Sequence, residues 1–104
     1  MSTEVVITTE ITNKQILLDS LKELNITSTQ VKDDVFTWGQ GYGKMTANIS
    51  SGEISYDNMR LEQLNLIKRT YSKNLVLDTI LKKGHHISSN NVLADGRIEI
   101  IASY

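Results

Sequence analysis

Residues 35–56, VFTWGQGYGKMTANISSGEISY, decide the fold of this 104-residue chain. Apolar side chains recur at every second position on both sides of a glycine-rich stretch, which predicts a hairpin with one buried face. The Ser51-Gly52 pair predicts a second tight turn, so residues 53–56 form a short third strand. The pattern therefore indicates a β-meander at the centre of the chain.

A strand and a helix precede this meander. Residues 4–11 are rich in β-branched types and place their apolar residues mainly on one parity, which is typical of a strand with one buried face. Thr12 followed by Gln15 has the spacing of a capping box, and leucines then recur at helical intervals. These signals predict a helix over residues 13–24.

A long helix follows the meander. Residues 59–83 contain neither glycine nor proline, and Gly84 follows the basic pair Lys82-Lys83, which predicts where the helix ends. Its apolar residues occupy two sides: one side carries Leu64, Ile67, Tyr71 and Leu75, and the other carries Val76, Leu77, Ile80 and Leu81. Either the helix breaks near residues 72–74, or both of its sides are covered.

The chain closes with a predicted hairpin, because Asp95-Gly96 lies between two apolar segments. The full order is β-α-β-β-(β)-α-β-β, with no repeat or linker, so residues 1–104 form a single domain. We expect an α+β fold with a mostly antiparallel sheet, two helices on one face and a C-terminal hairpin, similar to the ferredoxin-like arrangement.

Composition excludes several classes of protein. The chain has no cysteine, which removes disulfide frameworks, thiolate nucleophiles and cysteine-based metal sites and suits a reducing compartment. No apolar run approaches the roughly 20 residues that a membrane span needs, and residues 1–4 do not resemble a secretory signal. We therefore expect a cytoplasmic protein with no membrane partner.

Charge is distributed unevenly although its net value is −1. Residues 1–34 carry three lysines against six acids, and residues 60–83 carry six basic residues against two acids. The two segments either pair within the molecule or attract a charged partner. Non-specific coating of DNA is not expected at this net charge.

The residue sets that support catalysis are missing from the sequence. His85 and His86 are adjacent in a predicted strand, so their rings point to opposite faces and do not share one metal ion. Asp33-Asp34 is typical of a solvated turn, and Glu53 and Asp57 lack a partner base. We expect no enzyme activity, no catalytic residues, no metal and no cofactor.

The glycine-rich stretch from Gly39 to Lys44 would let a backbone approach a ligand closely. It lacks the strand-to-helix context of a dinucleotide or phosphate loop. Gly41-Tyr42-Gly43 matches three consecutive places of the RNA-recognition pattern, but Lys44 and Ala47 stand where stacking aromatics belong. RNA binding by base stacking is therefore only weakly indicated.

The sequence offers two candidate interaction surfaces. Trp38 and Tyr42 belong to an aromatic cluster that either packs in the core or, if the helices cover the other face, forms an exposed pair for a protein partner. Lys44 adjoins this cluster, and Arg69, Lys73 and Lys83 share a basic sector of the long helix. Such a sector is either a solvated face or a binding site.

Four segments resemble, in order, a hypothetical chloroplast reading-frame family of plastids, cyanobacteria and cyanophages, a family of unknown function. They are residues 5–11 with 17–24, residues 52–57, residues 69–72 with 76–77, and residues 95–98. Asn58-Met59 stand where that family usually has two tryptophans, and the glutamine of its helical segment is either Arg69 here or absent, depending on an alignment shift of one residue. The resemblance implies no activity or cofactor, and a phage-encoded member would act in the cytoplasm of its host.

These observations favour a non-catalytic binding or adaptor module that recognises another protein. The alternative is single-stranded nucleic-acid binding through residues 36–44 and the basic sector of the helix. The two-sided apolar pattern of residues 59–83 also predicts a homodimer, in which the second subunit covers the spare apolar side and the C-terminal hairpin extends the contact.

Overall fold

The computed structural model describes residues 4–39, 41–84, 86–92 and 97–103. Within them the chain forms two layers, a β-sheet and two helices, followed by a separate hairpin. In chain order the elements are β1 (Glu4–Thr8), α1 (Lys14–Glu23), β2 (Ser28–Lys32), β3 (Val35–Trp38), β4 (Met45–Asn48), β5 (Glu53–Asp57), α2 (Leu61–Lys82), β6 (His86–Val92) and β7 (Ile98–Ser103), with single 3₁₀ turns at Gly41–Gly43 and Asn58–Arg60.

The main sheet has the strand order β1-β5-β4-β3-β2, and every neighbouring pair in it is antiparallel. The α+β class is therefore confirmed, but the strand arrangement differs from the predicted ferredoxin-like one. A split βαβ unit joins parallel strands through a helix. Here β1 pairs antiparallel with β5 at the edge of the sheet, so the chain enters the meander from the opposite edge after α1.

Strand β2 was not predicted from the sequence. Its residues Ser28–Lys32 contain one apolar side chain, Val31, and four of its five side chains are exposed. An edge strand with solvent on most of its surface has no alternation of apolar and polar residues to reveal it. Pairing with β3 through Thr29 and Thr37, rather than burial, creates this strand.

Both helices cover the same face of the sheet, as predicted. The inward side chains of the meander lie in one core with residues of α1 and α2. The buried side chains from the sheet are Phe36, Trp38, Met45, Ala47, Ile54 and Tyr56, and those from the helices include Ile16, Leu17, Leu21, Leu64, Ile67 and Tyr71. The opposite face carries mostly hydroxyl and amide side chains.

The start of α1 is fixed by Asn13, one residue after the predicted cap. The Asn13 side-chain oxygen accepts a hydrogen bond from the Ile16 N–H at 3.1 Å, and the Asn13 N–H donates to the Tyr71 hydroxyl at 3.1 Å. Further along, buried Ser20 accepts a hydrogen bond from the Asn74 amide at 3.0 Å. These contacts set the position of α1 against α2.

Helix α2 is continuous from Leu61 to Lys82, so the first of the two alternatives, a break near residues 72–74, does not occur. Strands β6 and β7 both contact α2, and the hairpin of this same chain thus supplies part of the cover that the sequence analysis assigned to a second subunit. Gly84 ends the helix with a φ of 79°. No helix in the described residues is long and apolar enough to cross a membrane.

The C-terminal hairpin is confirmed as two antiparallel strands that form their own sheet. The ladder runs from His86 opposite Ser103 to Val92 opposite Ile98. The predicted turn at Asp95-Gly96 lies outside the described residues, and so does Tyr104. The molecule measures 49 × 33 × 23 Å and has a radius of gyration of 14.7 Å, above the about 13 Å expected for a compact chain of this size.

Candidate functional site

The glycine-rich loop between β3 and β4 folds back on itself. A Cβ placed on Gly39, whose φ is 83°, would lie 2.3 Å from the Gly43 carbonyl oxygen. Because no side chain fits at that distance, only glycine permits this approach. The Lys44 N–H then donates to the Gly41 carbonyl at 3.2 Å, which closes the loop.

Arg60 packs against this loop, a contact that the sequence analysis did not predict. Its Nε and guanidinium carbon lie 3.2 and 3.5 Å from where a Gly43 Cβ would stand. Arg60 belongs to the 3₁₀ turn after β5, which begins where the Asp57 carboxylate accepts a hydrogen bond from the Met59 N–H at 2.8 Å. No sequence spacing links residues 43 and 60, because only the packing of the two 3₁₀ turns brings them together.

An open groove lies beside the loop, at one end of the solvent-facing side of the sheet. It is lined by Thr27, Thr29, Thr37, Trp38, Gly39, Gly41 and Lys44. The Lys44 side chain is exposed, and Thr37 donates its hydroxyl to the Met45 carbonyl at 2.8 Å. Lys44 is the cationic side chain among the residues that line the groove, whereas Arg60 contacts Gly43 of the same loop without lining the groove.

Trp38 is not the exposed binding residue proposed from the sequence. The helices cover its face of the sheet, and its side chain is only 2% exposed. Its indole Nε1 is buried and has no hydrogen-bond partner within the described part of the chain. Trp38 therefore contributes to the core, and truncating it would destabilise the fold rather than test a surface.

The burial of the aromatic side chains also bears on nucleic-acid binding. Phe36 and Trp38 point toward the helices, so the open face of the described sheet presents no aromatic side chain for base stacking. Tyr42 lies in the 3₁₀ turn Gly41–Gly43, and its side chain is outside what the structure describes. The groove can therefore offer charge and hydroxyl groups but no stacking platform among its described side chains.

Arg69 and Lys73 lie one turn apart on the same side of α2, but Lys73 is engaged in an ion pair. The Lys73 ammonium binds the Glu23 carboxylate of α1 at 2.6 Å and is only 17% exposed. This ion pair joins the acidic segment 1–34 to the basic segment 60–83, as the intramolecular alternative predicted. Arg69 is exposed beside Glu62 and Leu66, and within the described residues it has no ion-pair partner.

The outer face of α2, defined here as Leu66, Arg69, Val76 and Ile80, is a side of the helix without buried residues; Leu66, Arg69 and Val76 are exposed there, and Ile80 is half-buried. Leu66 is 42% exposed and Val76 is 45% exposed. Of the eight large hydrophobic residues that are exposed in the described chain, six lie between residues 59 and 81. Exposed apolar side chains are thus concentrated on α2 and the turn before it.

The described residues contain no group of three side chains that could hold a metal ion. Asp33 and Asp34 are exposed in the turn between β2 and β3, which confirms the solvated turn. His85 lies outside the described residues, and His86 starts β6. Comparison with protein-family models, with curated proteins and with solved structures finds no match.

Proposed function

We propose that this protein is a non-catalytic binding module that recognises another protein through the outer face of α2. The observation that supports the proposal is the exposure of Leu66 and Val76 on one helix face, with Arg69 between them. Arginine is enriched in the cores of protein interfaces, and clustered exposed apolar side chains mark interaction sites. This surface replaces the one centred on Trp38.

The charge of α2 defines the chemistry of the partner. Residues 60–83 carry six basic and two acidic side chains, and only Lys73 and Lys82 form ion pairs within the described structure. A complementary partner presents aliphatic side chains beside carboxylates, which would neutralise Arg69 as the apolar surfaces close. Such a partner gains affinity from the aliphatic contacts and orientation from the charges.

Affinity capture with a matched set of variants tests this proposal. Leu66→Ser and Val76→Ser alter the outer face of α2, whereas Val31→Ser makes the same kind of change on β2, where Val31 is also exposed. We expect a protein retained by the natural chain and by Val31→Ser to be lost from both α2 variants. Retention by all three variants would refute the proposed surface.

Single-stranded nucleic-acid binding remains the second proposal, and the contact of Arg60 with Gly43 next to Lys44 supports it. Without aromatic stacking, affinity would come from phosphate contacts and would fall steeply with salt. In fluorescence anisotropy with single-stranded RNA and DNA at low salt, we expect Arg60→Ala and Lys44→Ala to weaken binding and Lys82→Ala to leave it unchanged. No binding by the natural chain would remove this proposal.

We also propose that the chain belongs to the hypothetical chloroplast reading-frame family, on the support of the four ordered segments described above. A cytoplasmic location, in the host if a phage encodes the chain, is supported by the absence of cysteine from the sequence. Self-association into a homodimer stays a proposal as well. Because β6 and β7 contact α2, we assign the dimer contact to another surface, which is argued below.

A further inference from the structure

The two edges of the main sheet are built differently. At one edge, β2 carries a register shift between Gln30 and Lys32 and ends in a lysine, and both features hinder pairing with another strand. At the other edge, β1 has the sequence EVVIT with a regular register, no proline and no lysine. Natural sheets seldom leave an edge strand of β-branched apolar residues unprotected. Strand β1 is therefore the edge that can pair with a strand of another molecule.

The free backbone groups of β1 follow from its pairing with β5. The Thr9 N–H donates to the Gly52 carbonyl at 2.8 Å, which makes this the hydrogen-bonded type of antiparallel pair. The direction of the backbone N–H and C=O groups alternates along a strand. Those of the odd-numbered residues of β1 therefore point toward β5. The N–H and C=O groups of Glu4, Val6 and Thr8 therefore point away from the sheet.

Hydrogen bonds on the far side of the sheet lead to the same assignment. The Ile49 N–H donates to the Asp34 carbonyl at 2.7 Å, which fixes the alternation between β3 and β4. Carried through the β4–β5 register, this alternation directs the backbone of Ile54 toward Ile7, an odd-numbered residue of β1. Two independent contacts thus agree on which groups lie at the open edge.

We propose that β1 pairs antiparallel with β1 of a second copy of this chain, about a two-fold axis at Val6, to give one continuous ten-stranded sheet. In this register Val6 lies opposite Val6 of the second copy, and Glu4 lies opposite Thr8 of the second copy. Each residue whose backbone N–H and C=O groups point away from β5 lies opposite such a residue of the second copy. All five residues of β1 have a partner residue. This inference does not depend on the function proposed for α2.

The side chains of β1 are complementary to themselves in this register. Val6 is 58% exposed on the open face of the sheet and meets its symmetry mate there. Half-buried Val5 lies opposite Ile7 of the second copy, which extends the apolar layer under the helices. Each Glu4 carboxylate lies opposite a hydroxyl rather than another carboxylate, so no like charges face each other. A second copy therefore supplies hydrogen-bond partners for the free backbone groups of β1, and no other protein is needed.

The oligomeric state tests the proposal. Sedimentation equilibrium of the full chain, up to concentrations of about 1 mM, is expected to show a monomer–dimer equilibrium. Val6→Lys places two ammonium groups opposite each other and is expected to weaken dimerisation at least ~10-fold. Val31→Lys, at a similarly exposed valine on β2, is expected to leave it unchanged. A monomer at every concentration, or equal dimerisation by both variants, would overturn the proposal.

A distance measurement identifies the surface directly. The chain has no cysteine, so a nitroxide at Thr29→Cys is unique. Thr29 belongs to the row Thr29, Thr37, Thr46, Ser55 and Val6, which crosses all five strands. Nine strand spacings of ~4.8 Å separate the two copies of Thr29, so we expect about 40 Å between backbones in the dimer. A dimer with a distance below about 25 Å would place the contact elsewhere and refute pairing through β1.

Discussion

The two halves of α2 have similar apolar content but different surroundings. In the first half, Leu64, Ile67 and Tyr71 are at most 4% exposed, because they pack on the sheet and α1. In the second half, Leu75, Val76 and Leu81 are 36–59% exposed. The first half therefore contributes one side to the core and leaves Leu66 exposed on the other, whereas the second half contributes no buried residue.

This contrast teaches that the sequence of a helix does not fix which of its apolar residues belong to a core. All the buried residues of α2 lie at or before Tyr71, although the helix continues to Lys82. Asn74 is the last α2 residue with a hydrogen bond to α1, and no later residue of the helix belongs to the core. The following predictions measure how sharply stability changes along the helix.

The largest effect is expected from truncation in the first half. Ile67 is fully buried, so Ile67→Ala should lower the free energy of unfolding by ~2–5 kcal/mol through lost burial and a residual cavity. Val76→Ala should change it by no more than ~0.5 kcal/mol. Urea denaturation followed by circular dichroism measures both. Equal losses would show that the second half is also part of the core.

Two glycines have the same φ of 79°: Gly52 in the turn between β4 and β5, and Gly84 after the end of α2. They compare the cost of an added side chain in the core region with the cost at the far end of α2. A Cβ on Gly52 would lie 2.1 Å from the Thr9 carbonyl oxygen, whereas one on Gly84 meets nothing within 4 Å. Gly52→Ala should cost ~2–4 kcal/mol, from overpacking and the left-handed backbone together, and Gly84→Ala only ~1 kcal/mol. Thermal unfolding would contradict the comparison if the two variants had the same midpoint.

A smaller effect is expected at the last hydrogen bond between the helices. Ser20 donates to the Ile16 carbonyl at 2.7 Å and accepts from the Asn74 amide at 3.0 Å. Ser20→Ala leaves the half-buried amide unpaired and should cost ~1–2 kcal/mol. Thr79→Ala removes an exposed hydroxyl that bonds to Leu75, and its cost should stay within ~0.5 kcal/mol. A larger loss for the Thr79 variant in urea denaturation would reverse the proposed order.

The smallest difference is expected between the two ion pairs of α2. The pair Lys73–Glu23 joins two helices and shields its lysine, whereas Lys82–Asp78 lies within one helix with its lysine 74% exposed. Lys73→Met should cost ~0.5–1 kcal/mol and Lys82→Met ~0.3–0.5 kcal/mol. Repeating the denaturation at high salt should abolish the second loss first. A cost for Lys82→Met that survives high salt would argue against this interpretation.

Much of the architecture could be read from residue patterns. The meander, both helices and the C-terminal hairpin each carry a periodicity or a turn signal, and the structure confirms them. Strand β2 could not be predicted because its residues are nearly all polar, and an edge strand needs no buried face. The order of the strands could not be predicted either, because a period-two pattern indicates which face of a strand is buried but not which strand lies next to it.

The candidate site was less predictable than the fold. Lys44 and Arg69 are exposed as expected, but Trp38 is buried and Lys73 is paired with Glu23. The burial of Trp38 depends on which face of the sheet the helices cover, and the pairing of Lys73 depends on how α2 packs against α1; the sequence left both open. Arg60 carried no signal at all, because its contact with Gly43 joins segments that are distant in the chain.

The sequence by itself determined the elements of this protein, since periodicity, capping residues and glycine turns act over a few neighbouring residues. Only the tertiary structure decided that β1 becomes an unprotected edge and that the second half of α2 extends beyond the core. The physical reason is that burial and pairing depend on how layers of finite size are stacked. That stacking is a property of the whole chain, and no local pattern encodes it.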